Sequence, residues 1–280
     1  MKYLALSLIS TLFVSGGFAR PSRLANREAA RRLRGSRPFS GSPYVVVSST
    51  TNGTDSQIES KTSAVKSSGT TLHDEYSTNW AGVVIESPPT GQNFTTVSGT
   101  FVVPKPIGSN GSASAWVGID GDTASQSILQ AGVDFTISGG KVSYESWYEW
   151  YPNYAYDFSN FAISAGNTIT ITIQSTSSKA GIVTLSNKST GKSVSKSLTA
   201  PSSSTALKGQ NAEWIVEDYE QNGSLVPFAN FGTVTFTNAS ASTSKKTVAP
   251  SSGIKVNIVQ NKKLLTSTSF TTNSVTVKHT

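Results

Sequence analysis

Two short segments of the 280-residue chain carry side chains suited to acid–base chemistry: SILQAGVDF, which contains Gln130, and AEWIVEDYE, which contains Glu217. If each segment is a β-strand, period-two alternation places Gln130 and Asp134 on one face of the first. On the second, Glu213, Glu217 and Tyr219 share a face. A face that carries carboxylates and an amide is costly to bury unless it meets water or a substrate. The sequence therefore predicts that both faces belong to a functional site.

The residue types that the chain lacks narrow its chemistry. It has no cysteine, and its two histidines, His73 and His279, lie at the edges of the predicted domain. A thiol nucleophile, a Ser-His-Asp triad and a histidine-rich zinc site are therefore not expected. Asp120-Gly-Asp122 is only a fragment of a calcium-binding loop, and the chain has no Asp-Thr-Gly motif and no glycine-rich phosphate loop. We expect no metal and no cofactor.

Carboxylate chemistry remains, and it leaves three interpretations open. Glu149 and Glu217 could hydrolyse a glycosidic bond, one as the acid and the other as the nucleophile or base. Alternatively, one acid could activate water against an amide carbonyl while a glutamine NH₂ group holds the oxyanion. The same polar and aromatic residues could also form a carbohydrate-binding groove with no catalysis. A carboxyl base with a reference pKa of about 4.3 favours acidic working conditions.

The elements that must position these residues are short alternating runs separated by turn signals such as Ser138-Gly139-Gly140 and Asn222-Gly223. No amphipathic helix and no internal repeat is evident. The pattern predicts an all-β fold of two antiparallel sheets packed as a sandwich. The clearest predicted strands cover residues 97–103, 113–120, 142–151, 168–174, 182–185, 233–237, 254–258 and 274–278.

Four predicted strands place polar side chains on one side, mostly with aromatics among them. They are the strands over residues 113–120 and 142–151 and the two segments that contain Gln130 and Glu217. Trp116 shares a face with Asp120, and Trp147 shares one with Glu149. If the four sides belong to one concave sheet, they form a cleft suited to an extended polymer, either a peptide or a glycan. A plain solvated face is the alternative, but clustered aromatics are less expected there.

The N-terminal quarter of the chain differs from the rest. Residues 1–19 have a lysine, an apolar run and a small-x-small site, which predict a cleaved signal peptide and a secreted, extracellular protein. Residues 1–73 hold ten basic and three acidic groups, whereas residues 74–280 hold thirteen of each. We therefore interpret residues 20–72 as a basic propeptide and residues 73–280 as one domain. Because the domain has no net charge, no nucleic-acid partner is expected.

Further expectations concern partners and modification. The basic propeptide is expected to cover an acidic cleft as an inhibitor until it is removed. No segment beyond the signal peptide is long and apolar enough to predict membrane insertion, and a monomer is expected. Sequons for N-glycosylation occur at Asn52, Asn93, Asn110, Asn187, Asn222 and Asn238.

Several longer blocks resemble the eqolisins, the fungal glutamic peptidases, in order through roughly residues 76–240. The resemblance implies a bent, lectin-type (concanavalin A-like) β-sandwich and an acid endopeptidase that cleaves protein substrates with a Gln/Glu dyad. By motif, that dyad falls on Gln130 and Glu217. The implied substrate-cleft positions are Trp116, Asp120, Asp134, Trp147, Glu149 and Tyr219. The blocks are NWAG from Asn79, WVGIDGD from Trp116, ILQAGVD from Ile128, WYEWYP from Trp147, NAEWIVED from Asn211 and VPFA from Val226.

Overall fold

The computed structural model describes residues 34–48, 56–60 and 74–280. The predicted signal peptide, most of the predicted propeptide and His73 lie outside the described residues. Within them the chain forms strands and two short 3₁₀ helices, Ser203–Thr205 and Pro250–Ser252, but no α-helix. The described part of the chain therefore contains no helix that could cross a membrane.

Twenty-two strands are numbered here in chain order within the described ranges. They are β1 Arg34–Gly35, β2 Tyr44–Ser48, β3 Ser56–Ser60, β4 Asp74–Ser77, β5 Trp80–Ile85, β6 Thr96–Val102, β7 Asn110–Ile119, β8 Ile128–Ser138, β9 Lys141–Tyr151, β10 Tyr156–Asp157, β11 Thr168–Ser177, β12 Ala180–Asn187, β13 Lys192–Thr199, β14 Ala212–Glu217, β15 Glu220–Gln221, β16 Ser224–Leu225, β17 Thr233–Ser242, β18 Thr247–Val248, β19 Ile254–Gln260, β20 Lys263–Leu264, β21 Thr266–Phe270 and β22 Ser274–His279.

Two large sheets hold most of these strands. The first, here the site sheet, has the order β10-β9-β8-β7-β14-β5-β19-β20, with β4 added in parallel to β19. The second, the outer sheet, has the order β13-β12-β11-β6-β17-β22-β21, with β18 paired to β17. Apart from the β4–β19 pair, neighbouring strands in both sheets are antiparallel. The predicted all-β antiparallel sandwich is confirmed.

Alternating side chains from the two sheets form the core between them. In β11, Ile169, Ile171 and Ile173 are fully buried while the threonines between them are partly exposed. From the site sheet, Trp214 and Phe135 enter the same apolar cluster. Because successive strand residues point to opposite faces, the intervening residues of β7, β8 and β14 project from the other side of the site sheet. That other side is called the site face below.

Most predicted strands are present but longer than their apolar alternation suggested. Residues 182–185 lie within β12, and residues 233–237 lie within β17. β13 was not predicted because its sequence, KSVSKSLT, is mainly polar; it is an edge strand paired only with β12. Among the strands that carry candidate site residues, two alternation predictions extend too far: β7 ends at Ile119, and β14 ends at Glu217. Asp120 and Tyr219 therefore lie beyond the strands to which they were assigned.

Candidate active site

Cross-strand register brings five candidate residues into two rows on the site face. In one row, Gln130 of β8 pairs with Glu149 of β9 on one side and with Gly118 of β7 on the other. Gly118 in turn pairs with Glu213 of β14. In a second row, four residues before Gly118 on β7, Ser114 lies between Asp134 and Glu217. The predicted face of polar residues is therefore continuous across four neighbouring strands, β9, β8, β7 and β14.

Two large aromatic side chains lie between these rows, over a residue without a side chain. Gly132 pairs with Trp116 on β7 and with Trp147 on β9. A Cβ atom at Gly132 would stand 2.6 Å from the Trp116 Cβ atom and 2.8 Å from the Trp147 ring. Both tryptophans are fully buried, in a second apolar cluster with Trp80, Ile128 and Ile215. Glycine at position 132 therefore lets both indoles lie against the sheet.

Glu217 is fully buried on the site face and is held by hydrogen bonds. The Trp116 Nε1 atom donates to Glu217 Oε2 at 2.9 Å. The backbone N–H of Arg37 donates to Oε1 at 3.1 Å, and the Ser36 hydroxyl also bonds the carboxylate. Burial raises the pKa of Glu217 to about 7, although these bonds and the charge of Arg34 act in the opposite direction.

Gln130 is also fully buried, and neither its Nε2 nor its Oε1 atom has a hydrogen-bond partner among the described residues. The register separates it from Glu217 by two strands and four residues, roughly 10 Å across the sheet and 13 Å along it for the Cα atoms. The Trp116 indole spans much of this interval. Its Nε1 atom bonds Glu217, while its Cζ3 atom would lie 3.0 Å from a Cβ atom on Gly118, a position that is also 3.4 Å from the Gln130 Cβ atom. The two residues therefore approach opposite edges of one indole ring.

Asp120, a predicted substrate-cleft residue, makes a different set of contacts. It has a positive φ of 68° and turns its carboxylate toward the loop before β14. The backbone N–H groups of Lys208, Gly209, Gln210 and Asn211 donate to its two oxygens at 2.6–3.2 Å. These contacts fix the loop that leads into β14, and a contact between Asp120 and substrate stays a prediction.

A segment of the basic leader lies against the site face. In this segment, residues 34–42, here the leader segment, the Arg34 side chain is buried. Its Nη2 atom lies 2.9 Å from Asp134 Oδ1, and its Nη1 atom lies 3.8 Å from Glu149 Oε2. Its guanidinium carbon is 4.2 Å from the ring centroid of Trp147 and 4.4 Å from that of Tyr219. Four of the predicted cleft residues therefore surround one arginine.

The backbone of the leader segment is held as an extended peptide. Trp80 Nε1 donates to the carbonyl oxygen of Arg37 at 3.0 Å, and Asn79 Nδ2 donates to that of Pro38 at 3.3 Å. Asn79 Oδ1 accepts the N–H of Ser40 at 3.1 Å. Phe39 packs edge-on against Trp80, with 6.0 Å between ring centroids. Peptide N–H and C=O groups are thus recognised on the C-terminal side of the Glu217 contact.

Sequence reasoning did not assign these leader contacts. From the sequence, Asn79 and Trp80 of the NWAG block are interpreted as either structural or cleft-edge residues, and Arg34 is one of seven arginines within residues 20–37. The sequence does carry one signal for these contacts, because the seven arginines are expected to be attracted to the acidic face. That attraction does not indicate which arginine makes the contact. Among the described residues, no group of three or more His, Asp or Glu side chains is arranged to hold a metal ion.

The chain was also compared with known proteins. The model of the peptidase A4 family matches residues 78–279. Aspergillopepsin-2 from Aspergillus niger is 42% identical and aligns over 100% of both chains. Scytalidopepsin B from Scytalidium lignicola is 36% identical, covering 89% of this chain and 88% of its own. A crystal structure of scytalido-glutamic peptidase with a transition state analog inhibitor superposes with a TM-score of 0.66 at 37% identity, covering 72% of this chain and 98% of that one. The chain therefore belongs to the peptidase A4 family, the eqolisins, and is a glutamic peptidase.

Proposed function

We propose that the protein is a secreted acid endopeptidase that hydrolyses peptide bonds of protein substrates with a Glu217/Gln130 dyad. Glu217 takes a proton from a water molecule, and the water oxygen attacks the scissile carbonyl carbon. Gln130 Nε2 donates to the oxyanion of the tetrahedral intermediate. Glu217 then gives its proton to the leaving amine as the C–N bond breaks.

The observation that carries this proposal is the contact between Glu217 and a peptide N–H group. Oε1 accepts the backbone N–H of Arg37, while Oε2 is held by Trp116. A carboxylate fixed on one oxygen and facing a peptide backbone with the other is suited to exchange protons with a bound peptide. Because the neighbouring bonds from Asn79 and Trp80 also go to peptide groups, the contacts favour a peptide over a glycan in this cleft.

Gln130 supports the proposal because its amide has no competing partner among the described residues. A buried amide without a hydrogen bond costs about 1–3 kcal/mol, so it is expected to bind a group that arrives with the substrate. Its position across the Trp116 ring from Glu217 allows a carbonyl above the indole to meet both residues.

The test is digestion of an unfolded protein by the matured enzyme between roughly pH 2 and 5, where carboxyl groups titrate. Glu217→Gln keeps the side-chain shape but removes the base, so cleavage should disappear. Glu86→Gln changes an exposed glutamate and should cleave like the wild type. A chelator and an inhibitor of aspartic peptidases should leave cleavage intact. Cleavage that persists in Glu217→Gln would overturn the dyad.

The proposal also assigns an inhibitory role to the basic leader. The leader segment covers Glu217, and its Arg34 occupies the acidic and aromatic cleft. Under this cover the pKa of Glu217 is about 7, so the carboxyl is neutral in acid and cannot act as a base. Uncovering the site lets water reach the carboxyl and removes much of the desolvation. Secretion through the predicted signal at residues 1–19 completes the proposal, and N-terminal sequencing of protein from the culture medium tests it.

A further inference from the structure

Glu213 is a buried acid on the site face to which the proposed mechanism assigns no role. It lies in the middle of β14 and is fully buried. Neither its Oε1 nor its Oε2 atom has a hydrogen-bond partner among the described residues. An unpaired buried carboxyl is costly to maintain, and an apolar residue at this position would avoid that cost. A carboxyl in such a place calls for a partner on the site face.

The side chain next to it is Gln130, whose amide atoms are also without partners. The two residues belong to neighbours of β7 and flank Gly118 from opposite sides. A Cβ atom on Gly118 would lie 3.0 Å from Trp116 Cζ3, 3.2 Å from Glu213 Oε1 and 3.4 Å from Gln130 Cβ. Both side chains therefore approach the same backbone position, at the edge of the Trp116 ring.

Charges around Glu213 favour its neutral form. Burial raises the pKa of Glu213 well above its usual range, and the nearby carboxylates of Asp120 and Asp122 raise it further. A neutral carboxyl has an O–H donor, which a carboxylate lacks. In the row that contains Gln130, Glu149 lies on the far side, with Arg34 near its carboxylate. Burial and neighbouring charge therefore both favour a form of Glu213 that can donate a hydrogen bond.

We infer that Glu213 is a positioning residue: its O–H donates a hydrogen bond to Gln130 Oε1 and thereby turns Gln130 Nε2 toward the oxyanion. An amide without this bond can present either its oxygen or its NH₂ group to the substrate, and only the NH₂ group stabilises negative charge. The inference rests on the proposed function of Gln130. It adds a group that acts through Gln130 and does not itself touch the substrate.

The test compares Glu213→Leu with Glu213→Gln in the matured enzyme, each also combined with Gln130→Ala. Leucine removes the donor, so kcat should fall on the order of 10- to 100-fold while KM changes little. Glutamine keeps an N–H donor and should restore kcat to within a few-fold of the wild type. In the Gln130→Ala background, Glu213→Leu should lower kcat no further, because the residue it orients is gone.

Thermal unfolding separates this loss from misfolding. Replacing an unpaired buried acid with leucine should leave the melting temperature unchanged or raise it, and Glu213→Met serves in the same comparison if the leucine variant does not fold. Glu86→Leu, at an exposed glutamate, is the matched control. Wild-type kcat in Glu213→Leu would overturn the inference. The inference would also be overturned if Glu213→Gln lowered kcat as much as Glu213→Leu does. The same holds if Glu213→Leu lowered kcat by its full factor in the Gln130→Ala background.

The dyad is tested separately within the same set of variants. Undiminished cleavage by Gln130→Ala or Glu217→Gln overturns the proposed function itself. If the Gln130→Ala and Glu217→Gln variants are inactive while Glu213→Leu is fully active, only the role of Glu213 is overturned.

Discussion

Replacing Arg34 with alanine should release the leader segment from the site face. The Arg34 and Asp134 side chains are each only 3% exposed and lie 2.9 Å apart. Removing one partner of such a buried ion pair costs about 3–5 kcal/mol, because the remaining charge stays buried without its ion-pair partner. The lost stacking on Trp147 and Tyr219 acts in the same direction. The dissociation constant of the segment should therefore rise by roughly two to nearly four orders of magnitude.

The assay is calorimetric titration of a synthetic peptide spanning residues 34–42 into the mature Glu217→Gln enzyme, which cannot cleave it under the proposed mechanism. Arg37→Ala in the same peptide is the matched control. That arginine pairs with Glu220 at 2.9 Å, but the two side chains are 49% and 30% exposed. An exposed pair contributes about 0–1 kcal/mol, so this peptide should bind within about sixfold of the unchanged one.

The two arginines differ in burial, and this difference sets the expected difference in peptide binding. Equal weakening by the two substitutions would mean that net charge, not the Arg34 contact, holds the leader. Unchanged binding of the Arg34→Ala peptide would mean that the backbone contacts alone suffice.

Two further predictions concern the carboxyl groups at the end of β14. Trp116→Phe keeps an aromatic ring but removes the N–H hydrogen bond that lowers the pKa of Glu217. The pH at which kcat/KM rises should therefore move upward. A downward move would contradict the role of this hydrogen bond. Asp218 is buried, and desolvation raises its pKa to about 7. Its contribution to folding is therefore fully present below about pH 4 and is lost as the pH rises through 7. Asp218→Asn should flatten the decline of the melting temperature between pH 4 and 8, and an unchanged slope would refute this assignment.

The sequence was sufficient for the fold class because alternation and turn chemistry act locally. TITITI predicts a half-buried strand, and β11 contains it. Ser138-Gly139-Gly140 predicts a tight turn, and Gly139 and Gly140 have φ values of 55° and 75° where β8 meets β9. Asn222-Gly223 behaves in the same way between β15 and β16. In each case the residues that form the element also contain its signal.

The alternation rule failed where a strand ends, because alternation itself carries no stop signal. Asp120 continues the apolar–polar pattern of β7 but adopts a left-handed conformation. Its reason for doing so lies almost ninety positions away, in the four backbone N–H groups of residues 208–211. Arg34 and Asp134 are separated by a hundred positions in the same way. Contacts of this range depend on the assembled sheets, so no local pattern could select these partners.

The buried site also places a constraint on how acid can release the leader. Burial raises the pKa of Glu217, whereas the leader contacts, namely the charge of Arg34, the backbone N–H of Arg37 and the Ser36 hydroxyl, lower it. These contacts therefore favour the carboxylate, and the desolvation that covering adds favours the neutral acid. Acid can release the leader only if the loss of these contacts outweighs the desolvation that covering adds at the base.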